Sequence, residues 1–170
     1  MFITLPDETL VIYTGEFGRK VVGMLDTSRS RLHRATGSVY AASLPYASRI
    51  ISVWSGHRPE DRDRIDSVAF ARGIPAVGVE LLPTSLECGP AVVPGRTACY
   101  RCYQRRLHQH RERTASLMRA GAELPEGFAG GEVAIAAGFI GQALADMNRG
   151  DAGTSLGGEV RVFDLVQGGL

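Results

Sequence analysis

Cys99 and Cys102 are the residues of this sequence whose types and spacing most directly suggest chemistry. A C-x-x-C pair sets two thiols on one turn of chain, which is half of a tetrahedral zinc site or the centre of a dithiol couple. A second candidate is the turn Gly15-Glu16-Phe17-Gly18, followed directly by Arg19 and Lys20. A glycine turn between a strand and a helix lets backbone approach a phosphate, and basic residues just inside the helix would meet its charge. Only the G-x-x-G part of the fuller G-x-G-x-x-G pattern is present, with Thr14 near where another glycine is expected. The plain reading of this stretch is a tight strand-to-helix turn.

Both candidates are incomplete. Two thiols supply half of a zinc ligand set, and Cys88 is the one further cysteine. In a continuous helix Cys102 and His108 lie about 9 Å apart along the axis, whereas zinc ligands sit within about 2.3 Å of one ion. Cys99 and Cys102 therefore either hold zinc with ligands completed by another chain or pack as small hydrophobic residues. A thioredoxin-like couple lacks its preceding strand. For a nucleotide, Gly15, Gly18, Arg19 and Lys20 form a degenerate binding loop, and the nearby acids Glu60, Asp61 and Asp63 read as helix-start residues favoured by the dipole. No catalytic residue is assigned, and no cofactor is expected. The sequence favours a protein that binds over one that turns over.

The elements that must position these groups alternate. Thr9–Thr14, Arg49–Trp54 and Ile74–Val79 are apolar, β-branched runs of the kind buried in parallel sheets. Between the last two, Pro59 suits a first helical position, Ile65, Val68, Ala69 and Arg72 follow helical spacing, and Gly73 suits the helix end. Strand, helix, strand at this spacing is a right-handed βαβ unit. The fold class expected is α/β, Rossmann-like. Its mostly parallel sheet is built from Leu10–Tyr13, Ile50–Trp54 and Val77–Glu80, with strands near Val39 and Val160–Leu165 at the edges. Gly89-Pro90 and Pro94-Gly95 flank Ala91–Val93 and form a stiff connection that delivers the two thiols to a helix running from Tyr100 to about Arg119. Gly121–Gly131 and Gly150–Gly158 read as loops.

Gly89-Pro90, Pro94-Gly95 and Cys99-x-x-Cys102 with the trailing Arg105 resemble the signature of ThiF-like proteins from thiazole/oxazole-modified peptide (RiPP) biosynthesis. These are non-adenylating relatives of the ubiquitin-activating enzymes, acting as cyclodehydratase partners or leader-peptide-binding proteins beside a YcaO enzyme. The resemblance implies a truncated ThiF-like domain whose partner is a YcaO-type cyclodehydratase, the precursor peptide, or both. In that family a second C-x-x-C late in the chain completes the zinc site, so Cys99 and Cys102 stand here as a half-site. Longer members carry an N-terminal winged module that takes up the leader. Only Met1–Glu8 precede the first strand, so one domain over residues 1–170 is expected, without that module. The alternative is a small adenylating enzyme of the same superfamily, using a nucleotide at Gly15–Lys20.

Composition bounds the remaining classes. The 170 residues are 44% hydrophobic and 22% charged, a balance that suits one globular domain. A net charge of +1 gives no field that calls for nucleic acid or an anionic membrane, and no apolar run is long enough to span a bilayer. Met1–Thr9 lacks a signal-peptide pattern and the cysteines do not suggest a disulfide framework, so a cytoplasmic protein is expected. The basic cluster Arg29, Arg31 and Arg34 reads as a solvated face. Glu132–Asn148 is apolar or small on nearly every side, and its face with Ile135, Ala136, Phe139 and Ala143 is expected to need a second subunit, most simply in a homodimer.

Overall fold

A computed structural model describes residues 2–110, 127–149 and 159–168. Its centre is a six-stranded sheet in the order β4-β2-β5-β6-β7-β8. The strands are β2 (Thr9–Tyr13), β4 (Arg31–Arg34), β5 (Arg49–Ser55), β6 (Ala76–Leu81), β7 (Ser85–Cys88) and β8 (Arg161–Asp164). β4, β2, β5 and β6 are mutually parallel, and β7 and β8 are antiparallel additions. A short parallel pair, β1 (Ile3–Thr4) and β3 (Leu25–Asp26), lies apart from this sheet. The three expected core strands are therefore present and adjacent, because runs such as Leu10–Ile12 and Ile50–Trp54 bury both faces.

Helices cover the two faces. On one side α1 (Gly15–Val22) and α4 (Gly130–Arg149) close a core with Val11, Ile51, Val53, Val77 and Val79. On the other, α2 (Pro59–Arg72) closes a core with Leu10, Ile12, Ile50 and Trp54, and α3 (Tyr100–His110) packs beside α2. Gly73 ends α2 in the left-handed conformation, as its C′ position requires. No helix among the described residues is long and apolar enough to cross a membrane.

Several expectations are corrected. The edge strand is Arg31–Arg34, not the stretch at Val39, since β2 pairs Val11 with Leu32. Val39 is buried elsewhere and gives its N–H to Asp61 Oδ1 at 2.8 Å. Arg72 does more than extend an apolar stripe, because its guanidinium donates to the carbonyls of Pro45 and Leu44 at 2.8 and 2.9 Å. β7 was not foreseen. Ala136, Phe139 and Ala143 are 0%, 5% and 0% exposed, covered by the chain's own sheet, α1 and N-terminal strand. The apolar surface that argued for a second subunit is thus internal. Gly141 packs against Ile3, and Gly138 faces open space. The expected loops at 121–126 and 150–158, and the helix beyond His110, fall outside the described residues.

Candidate functional site

In an open α/β sheet ligands bind outside the carboxyl ends of the strands, where the chain's connections diverge. Here that place is the end of β2 and β5, since the chain leaves β2 for β4 on one side and returns to β5 on the other. Thr14, Gly15, Ser55 and Gly56 meet there. The protein itself takes up much of the local polarity. Thr14 Oγ1 accepts the N–H of Ser55 at 3.2 Å, Thr14 N–H donates to Val53 O at 3.0 Å, and Gly56 N–H donates to Leu81 O at 2.8 Å. A Cβ on Gly18 would lie 3.0 Å from Tyr13 Cβ, so this glycine allows α1 to press onto β2. Because α1 has eight residues, Arg19 and Lys20 fall in its last turn, away from its N-terminus. Both are exposed, and Arg19 forms a close ion pair with Glu16. The structure brings Gly15, Gly18, Arg19 and Lys20 onto one short helix, with the two cations at the end opposite to the turn.

Cys99 precedes α3 and Cys102 lies in its first turn. Their Sγ atoms are 3.0 Å apart, and the N–H of Cys102 donates to Cys99 Sγ at 3.2 Å. Burial, followed by the Cys102 contact, pushes the Cys99 thiol up. Cys88 is on the other side of the sheet, in the α1–α4 core, where burial pushes its thiol up to about 12. It does not approach the other two. Among the described residues no three His, Cys, Asp or Glu side chains come together as a metal site, and the side chains of His108 and His110 lie outside the described set. Cys99 and Cys102 thus stand side by side with no third His, Cys, Asp or Glu gathered around them among the described residues.

A third cluster was not singled out from sequence. α2 turns Asp61, Arg62 and Asp66 inward, and all three are buried. Arg62 and Asp66 face Ser52 and Gly78, and Arg62 also faces Glu80, on β5 and β6, while Asp61 accepts the Val39 N–H. The Arg62 guanidinium meets Glu80 Oε2 at 3.5 Å, donates to the Gly89 carbonyl at 2.5 Å and lies 4.3 Å over the Tyr100 ring. Gly78 makes room for it, since a Cβ there would sit 2.6 Å from Arg62 Nε. Glu80 also accepts the Arg58 N–H at 3.0 Å and meets His57 Nδ1 at 3.4 Å. Burial alone would push its carboxyl up. The Arg62 charge, the His57 contact and the Arg58 amide outweigh that and hold it below its usual value. His57 is raised, chiefly by its hydrogen bond to Glu80. Asp66 Oδ2 accepts the Tyr100 N–H at 3.1 Å, its other oxygen is buried without a partner, and burial raises its pKa.

This cluster ties the Gly89-Pro90 turn and the start of α3 to α2 and the sheet. It is a positioning network, and His57 is its half-exposed member beside the carboxyl end of β5. A sequence signal did exist. Ser52, Gly78 and Glu80 interrupt buried strands at alternate positions, which marks one face of β5–β6 as polar. Asp61 and Asp63 stand at the start of α2 as expected, but Asp61 is also buried and Asp63 binds Arg101 at 2.6 Å across to α3.

No protein-family model and no curated protein sequence matches this chain. Solved structures do. The heterocyclase TruD aligns over 95% of the chain with a TM-score of 0.63 at 18% identity. A heterocyclase in complex with substrate and cofactor aligns over 93% with a TM-score of 0.58 at 18% identity. PaaA aligns over 93% with a TM-score of 0.58 at 12% identity. The chain therefore shares its α/β fold with these solved structures. The chain spans about a quarter of the length of the two heterocyclases, 25% and 23%, and 69% of PaaA. At such identities the likeness is one of architecture, and it takes in the sheet with both of its helical layers.

Proposed function

We propose that this chain is a non-adenylating ThiF-like scaffold in ribosomal peptide natural product biosynthesis, one that docks a YcaO-type cyclodehydratase, its precursor peptide, or both. The fold match to two heterocyclases, and the Gly-Pro, Pro-Gly and C-x-x-C segment that the structure sets beside the sheet, support a place in that chemistry. The observation that carries the non-adenylating part is the Thr14–Ser55 contact. An amide at the switch point, where a nucleotide phosphate would seek a donor, is already taken by the protein's own hydroxyl. The nearby acids support the same reading. Glu80 and Asp61 are buried among arginines and backbone amides, where a magnesium ion would find them engaged.

The test has two arms on the whole chain. Calorimetric titration with ATP and magnesium is expected to show no tight binding. Co-expression with a YcaO-type cyclodehydratase is expected to give one co-eluting complex on size exclusion. Micromolar, magnesium-dependent ATP binding would overturn the reading and favour an adenylating enzyme.

A further inference from the structure

β4 is an outer strand of the sheet, and among the described residues no strand pairs with its free side. The orientation of its backbone is fixed by one contact. Ala35 N–H donates to Tyr13 O at 2.9 Å, so Ala35 turns its polar groups toward β2. Alternate residues of a strand turn the same way. His33 and Arg31 therefore bond inward, while Leu32 and Arg34 present their N–H and C=O groups outward. The side chains around this edge are cationic. Residues 29–34 carry Arg29, Arg31 and Arg34 with His33 and no acid. Arg29 is paired with Asp7 at 2.9 Å. Arg31 and Arg34 are exposed, and Leu32 is 49% exposed between them.

The two exposed arginines point to opposite faces. The register sets Arg31 beside Leu10 and Arg34 beside Tyr13, which belong to opposite sides of the sheet. An added strand likewise sends neighbouring side chains to opposite faces, so acids at odd separation along it would meet both arginines.

We propose that the outer edge of β4 is a docking strand for an extended, acidic peptide segment, which adds to the sheet through the outward backbone groups of Leu32 and Arg34 and pairs its carboxylates with Arg31 and Arg34. The ladder supplies affinity and the arginines select for acidic side chains. This rests on the reading above that the chain docks a peptide, and it names the surface and the chemistry of the segment.

The probe is a fluorescein-labelled peptide of repeated Glu-Val-Val, whose neighbouring acids fall at odd separation, followed by anisotropy at low salt with the full chain. Saturable binding is expected. The same peptide N-methylated at alternate residues keeps its charge but loses one row of donors, and is expected to bind about tenfold more weakly or worse. Leu32→Pro removes an outward N–H that β2 does not use, and is expected to weaken binding similarly with an unchanged melting midpoint. Arg31→Glu with Arg34→Glu is expected to abolish binding at the same concentrations. No binding of the parent peptide, full binding of the N-methylated peptide, or an oligothymidylate that competes as well as the peptide itself would each overturn the proposal. If Leu32→Pro does not fold, the N-methylated peptide decides alone. Failed co-elution with a cyclodehydratase alongside positive peptide arms would count against the proposed function and leave the docking strand standing.

Discussion

The guanidinium of Arg62 lies 4.3 Å over the ring of Tyr100, and through it α2 grips the first turn of α3. The same side chain holds the Gly89 carbonyl and faces the buried Glu80 carboxylate. The central segment, with its thiols, is thus fixed at both ends by one cation that no motif in the sequence marks.

Replacing Arg62 with Met should be severe. Arg62 and Glu80 side chains are 6% and 3% exposed, so the change strands a buried carboxylate. Breaking such a pair costs about 3–5 kcal/mol. Arg62→Met combined with Glu80→Gln should recover more than half of that loss in urea unfolding. A single variant as stable as the parent would show that water already reaches Glu80.

Gly78→Ala tests the space that Arg62 occupies. The added Cβ would lie 2.6 Å from Arg62 Nε and 2.9 Å from Ser52 Oγ. Overpacking of this kind costs about 1–3 kcal/mol. A drop in denaturation midpoint of that order is expected, and Gly138→Ala, where nothing lies within 4 Å, should not lower it.

His57 makes stability depend on pH. Its folded pKa is raised above the ordinary histidine value, first by Glu80, and the other nearby charges are Glu87 and Arg62 from the packed elements and Arg58 from its own turn. A raised histidine adds stability that is full below the unfolded pKa, about 6.5, and is lost as pH rises through the folded value. Melting midpoints between about pH 6 and 8 should fall by this contribution, and His57→Asn should flatten that slope. An imidazole NMR titration with a midpoint at or below 6.5 would contradict the ion pair.

The thiols should separate into two classes. Cys99 and Cys102 are reachable and should react with Ellman's reagent in the native protein, while Cys88, fully buried and pushed up to about 12, should react only after denaturation. Elemental analysis of the isolated chain is expected to return well under one zinc per chain. One tightly held zinc per chain would show that the half-site finds its remaining ligands within the chain.

How far the sequence speaks can be seen residue by residue. β2, β5 and β6 are legible because Leu10–Ile12, Ile50–Trp54 and Val77–Val79 are apolar runs too short for helices and bounded by turns. The end of α2 is legible at Gly73. Its inward face is not, because the apolar spacing of Ile65 and Ala69 gives no sign that Asp61, Arg62 and Asp66 are buried as well. Their burial depends on partners at Val39, Glu80 and Tyr100, which adjacency in sequence does not reveal. β7 was hidden because Ser85–Cys88 alternates over only four residues directly after Pro83 and Thr84. For α4 the pattern showed correctly that Phe139 and Ala143 need cover, but not that the cover is the chain's own. At the site, the glycine turn was found as a turn, whereas the Thr14–Ser55 contact joins residues 41 apart and has no local signature.

Gly89, with φ at +121°, has so little room that a Cβ would meet the Glu159 carbonyl at 2.6 Å, and the strand that follows, β8, pairs with β7 just before it. The turn leading to the thiols is therefore roofed by residues 70 positions further along the chain. A nascent chain can assemble β2, β5 and β6 as they emerge, but Cys88 and Gly89 stay uncovered until Glu159 and Arg161 have followed them. Ribosome-stalled chains ending before Glu159 should consequently leave Cys88 open to alkylation, so that one thiol reports when the molecule closes.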